Sequence, residues 1–165
     1  MTPAISQIFT RKVLLILFVC VLTPAVSPKE YFLFNDTELN WFAAFHACHL
    51  KNMTLATINS EAEQIDIGNL IGSWISTKKV YWTSGTDQAK EGEFVWMSTG
   101  QPIRYKNWYY GEPNNHGSQH CLTISNINSH QWDDDQCSNE YFYICEGITE
   151  CSKEIVFLYP RFGLQ

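Results

Sequence analysis

Residues 111–137 read GEPNNHGSQHCLTISNINSHQWDDDQC, and the reading of that stretch decides the fold. Gly111-Glu112-Pro113-Asn114 lies in a Gly-, Pro- and Asn-rich segment from about Ser98 to His120 that also carries Trp108, Tyr109 and Tyr110. A segment of that length is too long for an idle connection and reads as a functional loop. Leu122 to Ser125 then reads as a strand. Beyond it comes Asp133-Asp134-Asp135. Alone, such a run is more often a solvated turn, but Trp132 before it and Cys137 after it make it part of a built structure. The two segments Glu112-Pro113-Asn114 and Asp133-Asp134-Asp135 supply hard oxygen donors and no sulfur. Calcium takes six to eight such oxygens, so oxygen donors on two loops favour calcium over zinc. If Cys121 pairs with Cys137, the bridge ties the end of the first segment to the end of the second, and closing so short a loop stabilises by about 3 kcal/mol.

Outward from this stretch, Val80 to Thr83, Phe94 to Met97 and Tyr141 to Cys145 read as further strands, with Gly85 and Gly92 marking turns. The earlier half reads as helix. After Asn40, a candidate N-cap, Trp41, Ala44, Phe45 and Cys48 follow the i, i+3, i+4, i+7 pattern up to Lys51. A second helix opens at Ser60, with Glu63 completing a capping box, and carries Ile67, Leu70, Ile71 and Trp74 on one face until Gly72 and Ser73 loosen it. Helices early and strands late give the α+β class. Trp82, Trp96 and Trp132 belong to the core.

At the N-terminus Arg11 and Lys12 precede the apolar run Val13 to Leu22, followed by Thr23, Ala25 and Ser27. This reads as a signal peptide over residues 1–27, cut after Ala25 or Ser27; an uncut anchor would need about 20 apolar residues. Arg11 and Lys12 are the only charges of that leader, so its loss lowers the 11 basic residues by two against 17 acids, a net of −8. Such a balance argues against nucleic acid or an anionic membrane as partner. The expected location is secreted and extracellular. Cys48, Cys121, Cys137, Cys145 and Cys151 then meet an oxidising compartment, where four pair and one is left over; spacing alone leaves three connectivities open. Asn35-Asp36-Thr37 and Asn52-Met53-Thr54 are glycosylation sequons, expected at exposed positions. His46, Cys48 and His49 would suggest zinc, but a disulfide role for Cys48 is the stronger reading.

An ordered set of short motifs carries a family resemblance over about Glu30 to Gly147. They are the helix bearing Cys48, Leu55-Ala56-Thr57-Ile58, Tyr81-Trp82-Thr83-Ser84-Gly85, Asn107-Trp108, Gly111-Glu112-Pro113-Asn114, Trp132-Asp133-Asp134 and Tyr143-Ile144-Cys145-Glu146. In this order they resemble a C-type lectin carbohydrate-recognition domain, and Val80 to Gly100 is most similar to secreted insect members. The resemblance implies two helices flanking antiparallel sheets with a long ligand-binding loop. It divides the chain into a 1–27 signal peptide, a 30–147 recognition domain and a 148–165 tail. It also implies disulfides Cys48 to Cys145 and Cys121 to Cys137, and a cis bond before Pro113. For function it implies one Ca2+ held by Glu112, Asn114, Gln119, Asp133 and Asp134, with two sugar hydroxyls taken by Glu112 with Asn114 and by Gln119 with Asp133. Tyr109, Tyr110 or His116 would pack on the sugar's apolar face.

Two positions depart from the family pattern, which has Glu at 119 and Asn at 133. Gln119 and Asp133 are a reciprocal exchange that keeps three anionic ligands but moves the amide donor to 119. Glu-Pro-Asn implies mannose, fucose or glucose-type sugars, whereas galactose binders of the family carry the same exchange in the other pair. The exchange therefore keeps galactose in view. A second calcium site, found in some relatives, would draw on Asp87 and Glu91 and on acids near 115 and 120. Asn115 and His120 stand there instead, so that calcium site is expected to be empty or weak.

The implied function is calcium-dependent glycan binding, for recognition of microbes in innate immunity or for handling self glycoproteins. The alternative is a lectin-like module that binds protein without sugar. No nucleophile elbow, zinc helix or separate acid and base pair points to an enzyme. Cys151 and the apolar run Ile155 to Tyr159 lie in the tail, and an odd cysteine suggests a disulfide-linked homodimer.

Overall fold

The computed structural model describes residues 29–72 and 77–148. Tyr31–Gly147 forms one compact unit. The signal peptide, the tail with Cys151, Cys20 and Trp74 lie outside the described residues. The elements in chain order are β1 (Lys29–Leu39), α1 (Trp41–His49), β2 (Thr54–Leu55), α2 (Glu61–Ile71), β3 (Val80–Thr86), β4 (Val95–Trp96), β5 (Gln101–Pro102), β6 (Cys121–Ser125), β7 (Trp132–Asp135) and β8 (Tyr141–Ile148). Two helices on a mixed sheet make this an α+β fold. The sheet runs β1-β8-β3-β4-β5, with β2 on β8 and with β6 joining β3 to β7. The pairings of β3 with β4 and β6 are antiparallel, as expected, whereas β3 and β8 run parallel. Parallel neighbours need a long crossover, and the whole ligand-bearing segment between these strands supplies it.

Helix α1 forms as the sequence dictates. Asn40 Oδ1 accepts the Ala43 N–H at 2.9 Å, and Trp41, Ala44 and Cys48 are buried. Cys48 is disulfide-bonded to Cys145 of β8, which pins the helix to the sheet. For α2, Ser60 Oγ accepts the Glu63 N–H, but the return bond differs from a capping box. Glu63 Oε2 accepts from the N–H of Asn59, one residue before the cap, and from the Tyr31 hydroxyl. The apolar face also differs, because Leu70 is 43% exposed while Gln64 and Ile67 are buried. At about 100° per residue Leu70 lies roughly 60° beyond Ile67, past the edge of the strip made by Gln64, Ile67 and Ile71. Gln64 is buried because its Oε1 accepts the Trp132 indole N–H at 2.7 Å and its Nε2 reaches the His130 carbonyl.

The acidic run Asp133 to Asp135 is strand β7, not loop as expected. Its register on β6 pairs Leu122 with Asp134 and Thr123 with Asp133. Charged residues are depleted in strands, and here the anchor is the preceding Trp132. That fully buried ring packs edge-on against Trp96, Tyr105 and Trp108, with centroids 5.6–5.7 Å away. Trp82 and Trp96 are equally buried. The separated motifs Leu55-Ala56-Thr57 and Ile144-Cys145-Glu146 prove to be one ladder: Leu55 pairs with Cys145, and the Glu146 carboxylate accepts the Thr57 N–H at 2.8 Å.

Candidate metal centre

The long loop is laced to the start of β7 by its backbone. Trp132 N–H donates to the Asn107 carbonyl at 2.8 Å, and the Tyr109 N–H donates to the Trp132 carbonyl at 2.7 Å. The Glu112 N–H then closes a turn on the Tyr109 carbonyl, and the Glu112–Pro113 bond is cis, as the resemblance implies. The next two N–H groups, of Asn114 and Asn115, donate to the two oxygens of the Asp134 carboxylate at 2.9 Å each. Asp134 is 1% exposed, so this anion is taken from water and held by the loop it organises.

Glu112, Asp133 and Asp134 each bring a carboxylate oxygen to within 4.8 Å of the others. Burial first, then the charge of Asp133, push the Glu112 carboxyl up to about 7. Burial, followed by the charges of Asp134 and Asp135, also raises Asp133. Crowded carboxylates resist ionising together unless a cation joins them. Glu112 Oε2, Gln119 Oε1 and Asn115 Oδ1 are buried without a hydrogen-bond partner. An unpaired buried carboxylate oxygen such as Glu112 Oε2 is costly, and a hard cation between the three carboxylates would satisfy it. The donor set is all oxygen, which fits calcium.

Of the two amides expected in this site, Asn114 reaches the Glu112 carboxylate, whereas Gln119 turns its Nε2 toward Asp135. Asn114 Oδ1 accepts the His116 N–H at 2.7 Å, and Gln119 Nε2 lies 3.4 Å from Asp135 Oδ1. His116, Tyr109 and Tyr110 are exposed, Tyr110 almost fully at 95%. Asp135 was not singled out for a role of its own by the sequence. Its Oδ1 also accepts from Gln136 N–H and Asn139 Nδ2, while Oδ2 accepts the Tyr141 hydroxyl at 2.7 Å. Burial and then that bond push the Tyr141 hydroxyl up to about 12. Asp135 thus gathers Gln119, Gln136, Asn139 and Tyr141 around one carboxylate; the triple-Asp run was the one signal for it. Cys121 bonds to Cys137 and so closes the segment between Gln119 and the end of β7. His46 and His49 are exposed on α1.

Comparison with known proteins agrees with this architecture. The sequence family described as the Lectin C-type domain matches residues 37–147. The chain is similar to "Salivary C-type lectin 2" of Aedes albopictus, with 33% identity over 126 residues, 72% of this chain and 83% of that protein. Among solved structures it is similar to the mouse scavenger receptor C-type lectin carbohydrate-recognition domain, at TM-score 0.67 and 30% identity, covering 78% of this chain and 94% of that one. It is also similar to the C-type carbohydrate-recognition domain of cow CD23, solved in the presence of GlcNAc2Man3 oligosaccharide, at TM-score 0.66 and 29% identity, covering 76% and 92%.

Proposed function

The chain belongs to the C-type lectin domain family, non-enzymatic carbohydrate-binding proteins, and from that premise we propose that it binds glycans through one calcium ion held by Glu112, Asn114, Gln119, Asp133 and Asp134. The observation that carries this reading is the convergence of the Glu112, Asp133 and Asp134 carboxylates, with Glu112 Oε2 buried and unpartnered. Calcium, when bound, supplies coordination to two neighbouring sugar hydroxyls. The residues of the chain supply the rest. Glu112 accepts from one hydroxyl while Asn114 donates to it; Asp133 accepts from the other while Gln119 donates. Asp134 completes the anionic set and fixes the loop through the Asn114 and Asn115 N–H groups. Asp135 is a positioning residue, since its bond to Gln119 Nε2 leaves Gln119 Oε1 as that side chain's free acceptor.

Glu-Pro-Asn supports sugars of the mannose or fucose type. A galactose-type preference is the second reading, favoured by the donor at 119 and the acceptor at 133. His116, exposed at the loop's edge, is the candidate to pack on the sugar. Passage over immobilised mannose and galactose with calcium, followed by a chelator, tests both readings. Calcium-dependent retention with release by chelator is expected, and mannose far ahead of galactose sinks the galactose reading. Retention that survives the chelator, or none on any glycan, overturns the mechanism; absence of retention returns the chain to a protein-binding module without sugar.

The same reading makes this a secreted, extracellular glycoprotein, with residues 1–27 removed and with Asn35 and Asn52 as acceptors. Both asparagines are exposed, which supports their modification. No described helix is long and apolar enough to cross a membrane. Cys151 would link two copies, and pairing would raise avidity for clustered glycans. A single band of monomer mass on a non-reducing gel would count against that dimer.

A further inference from the structure

A second convergence of ligand atoms lies one residue beyond Gln119 and takes no part in the calcium site proposed above. Where β3 meets β6, the His120 carbonyl accepts from Thr86 Oγ1 at 2.7 Å and from the Asp87 N–H at 3.2 Å, so Asp87 and His120 are held abreast. Asp87 Oδ2 accepts the Gly92 N–H at 2.8 Å, folding the following loop back so that Glu91 faces the same place. His120 Nδ1 stands 3.0 Å from Asp87 Oδ1 and 3.4 Å from Glu91 Oε2. All three ligand atoms fall within 4.8 Å of one another.

Geometry, donor type and charge all bear on what this arrangement takes. One ring nitrogen carries a single proton or lone pair in the ring plane, yet two carboxylate oxygens converge on it. A tetrahedral ion with bonds of about 2.0–2.1 Å separates its ligands by about 3.3 Å, and the two observed separations bracket that value. An imidazole nitrogen with two carboxylates suits zinc, whereas calcium prefers oxygen alone. Two carboxylates and a neutral imidazole carry −2, which a divalent ion offsets. Asp87 is 2% exposed and already oriented by the Gly92 N–H, the outer-shell support that metal ligands require. Glu91 is exposed, which leaves the remaining coordination position open to solvent.

We propose that Asp87, Glu91 and His120 form a transition-metal site selective for zinc-class ions over calcium. The histidine that removes an acid from the second calcium site is what gives this place its other chemistry. The test uses the full chain, stripped with a chelator and dialysed, titrated with zinc chloride by calorimetry in the presence of excess calcium. One equivalent of zinc is expected to bind, with cobalt giving the visible bands of a tetrahedral nitrogen and oxygen site. His120→Asn and Glu91→Gln, both away from the core, should each weaken zinc by about tenfold or more, the size that losing even an outer-shell partner produces. Zinc bound equally well by both variants would place the metal elsewhere, on His46 and His49 for example, and overturn the assignment. Absence of zinc binding would overturn it as well, leaving the three side chains as an ordinary polar cluster. Displacement of zinc by calcium at equal concentration would overturn the stated selectivity. None of these readouts involves sugar, so the glycan mechanism can fail or hold independently.

Discussion

Gln119 and Asp133 carry the question of which sugar is preferred, because the calcium charge is the same whichever of them holds the carboxylate. The double substitution Gln119→Glu with Asp133→Asn returns the donor to 133 and the acceptor to 119 while keeping three anionic ligands. On the galactose reading its expected effect is a shift of preference toward mannose, measured as the ratio of their inhibition constants, with calcium affinity little changed; on the mannose reading that ratio stays in mannose's favour. The single change Asp133→Asn instead leaves two carboxylates and should weaken calcium itself, which calorimetry would show. Glu112 carries the acid–base behaviour. Its carboxyl is raised from 4.5 to about 7, so the metal-free fold holds its proton more tightly than the unfolded chain does. The stability this contributes is present below about 4.5 and is lost as pH rises through about 7. Raised Asp133 acts in the same direction. The melting temperature without calcium should therefore fall between those values. Added calcium should raise it most at the upper end, where Glu112 is ionised.

Elements translate such residues into positions, and Gly85 is where two of them come closest. A Cβ at this position of β3 would stand 2.7 Å from Leu122 Cβ on β6 and 3.2 Å from the Trp96 ring. Gly85→Ala must push the β3–β6 pair apart, at a cost of about 1–3 kcal/mol for overpacking, visible as a lowered urea midpoint with unchanged slope. The register that carries Asp133 and Asp134 rests on β6, so calcium affinity should fall with it. The two helices were legible from their caps, since Asn40 and Ser60 cap as their chemistry demands; the period held in α1, whereas in α2 it misplaced Leu70. Strand β7 was not, because an Asp run carries no strand signal of its own; its pairing is decided by Trp132 and by a partner ten residues away. Gln64 was missed for a related reason. Nothing in its neighbours announces a buried amide; its partner is an indole 68 positions later in the chain. The carboxylate half of the candidate site was readable as chemistry, whereas Asp135's hold on Gln119 exists only once the strand is formed.

At the scale of the whole molecule, the two disulfides among the described residues differ in span and place. Cys48–Cys145 spans 97 residues and joins α1 to β8, enclosing nearly the whole compact unit; Cys121–Cys137 spans 16 and encloses β6 and β7 alone. In the chain-entropy model loops of about 100 and about 15 residues are worth about 4.7 and about 3 kcal/mol. All four sulfurs lie in one buried cluster with Trp41, Trp82 and Tyr143, so replacing either pair by alanine leaves a small void of the same kind. The difference between the two variants thus reports loop length and location, not packing. Replacing Cys48 and Cys145 should lower stability more, yet leave calcium affinity close to that of the parent while the chain is folded. Replacing Cys121 and Cys137 should lower stability less but weaken calcium more, because Gln119 lies two residues before one sulfur, and Asp133 and Asp134 end three residues before the other. Urea unfolding and calcium titration on both double variants separate the two effects. Equal loss of calcium affinity in both would mean that the site is held by the global fold and not by its local clasp.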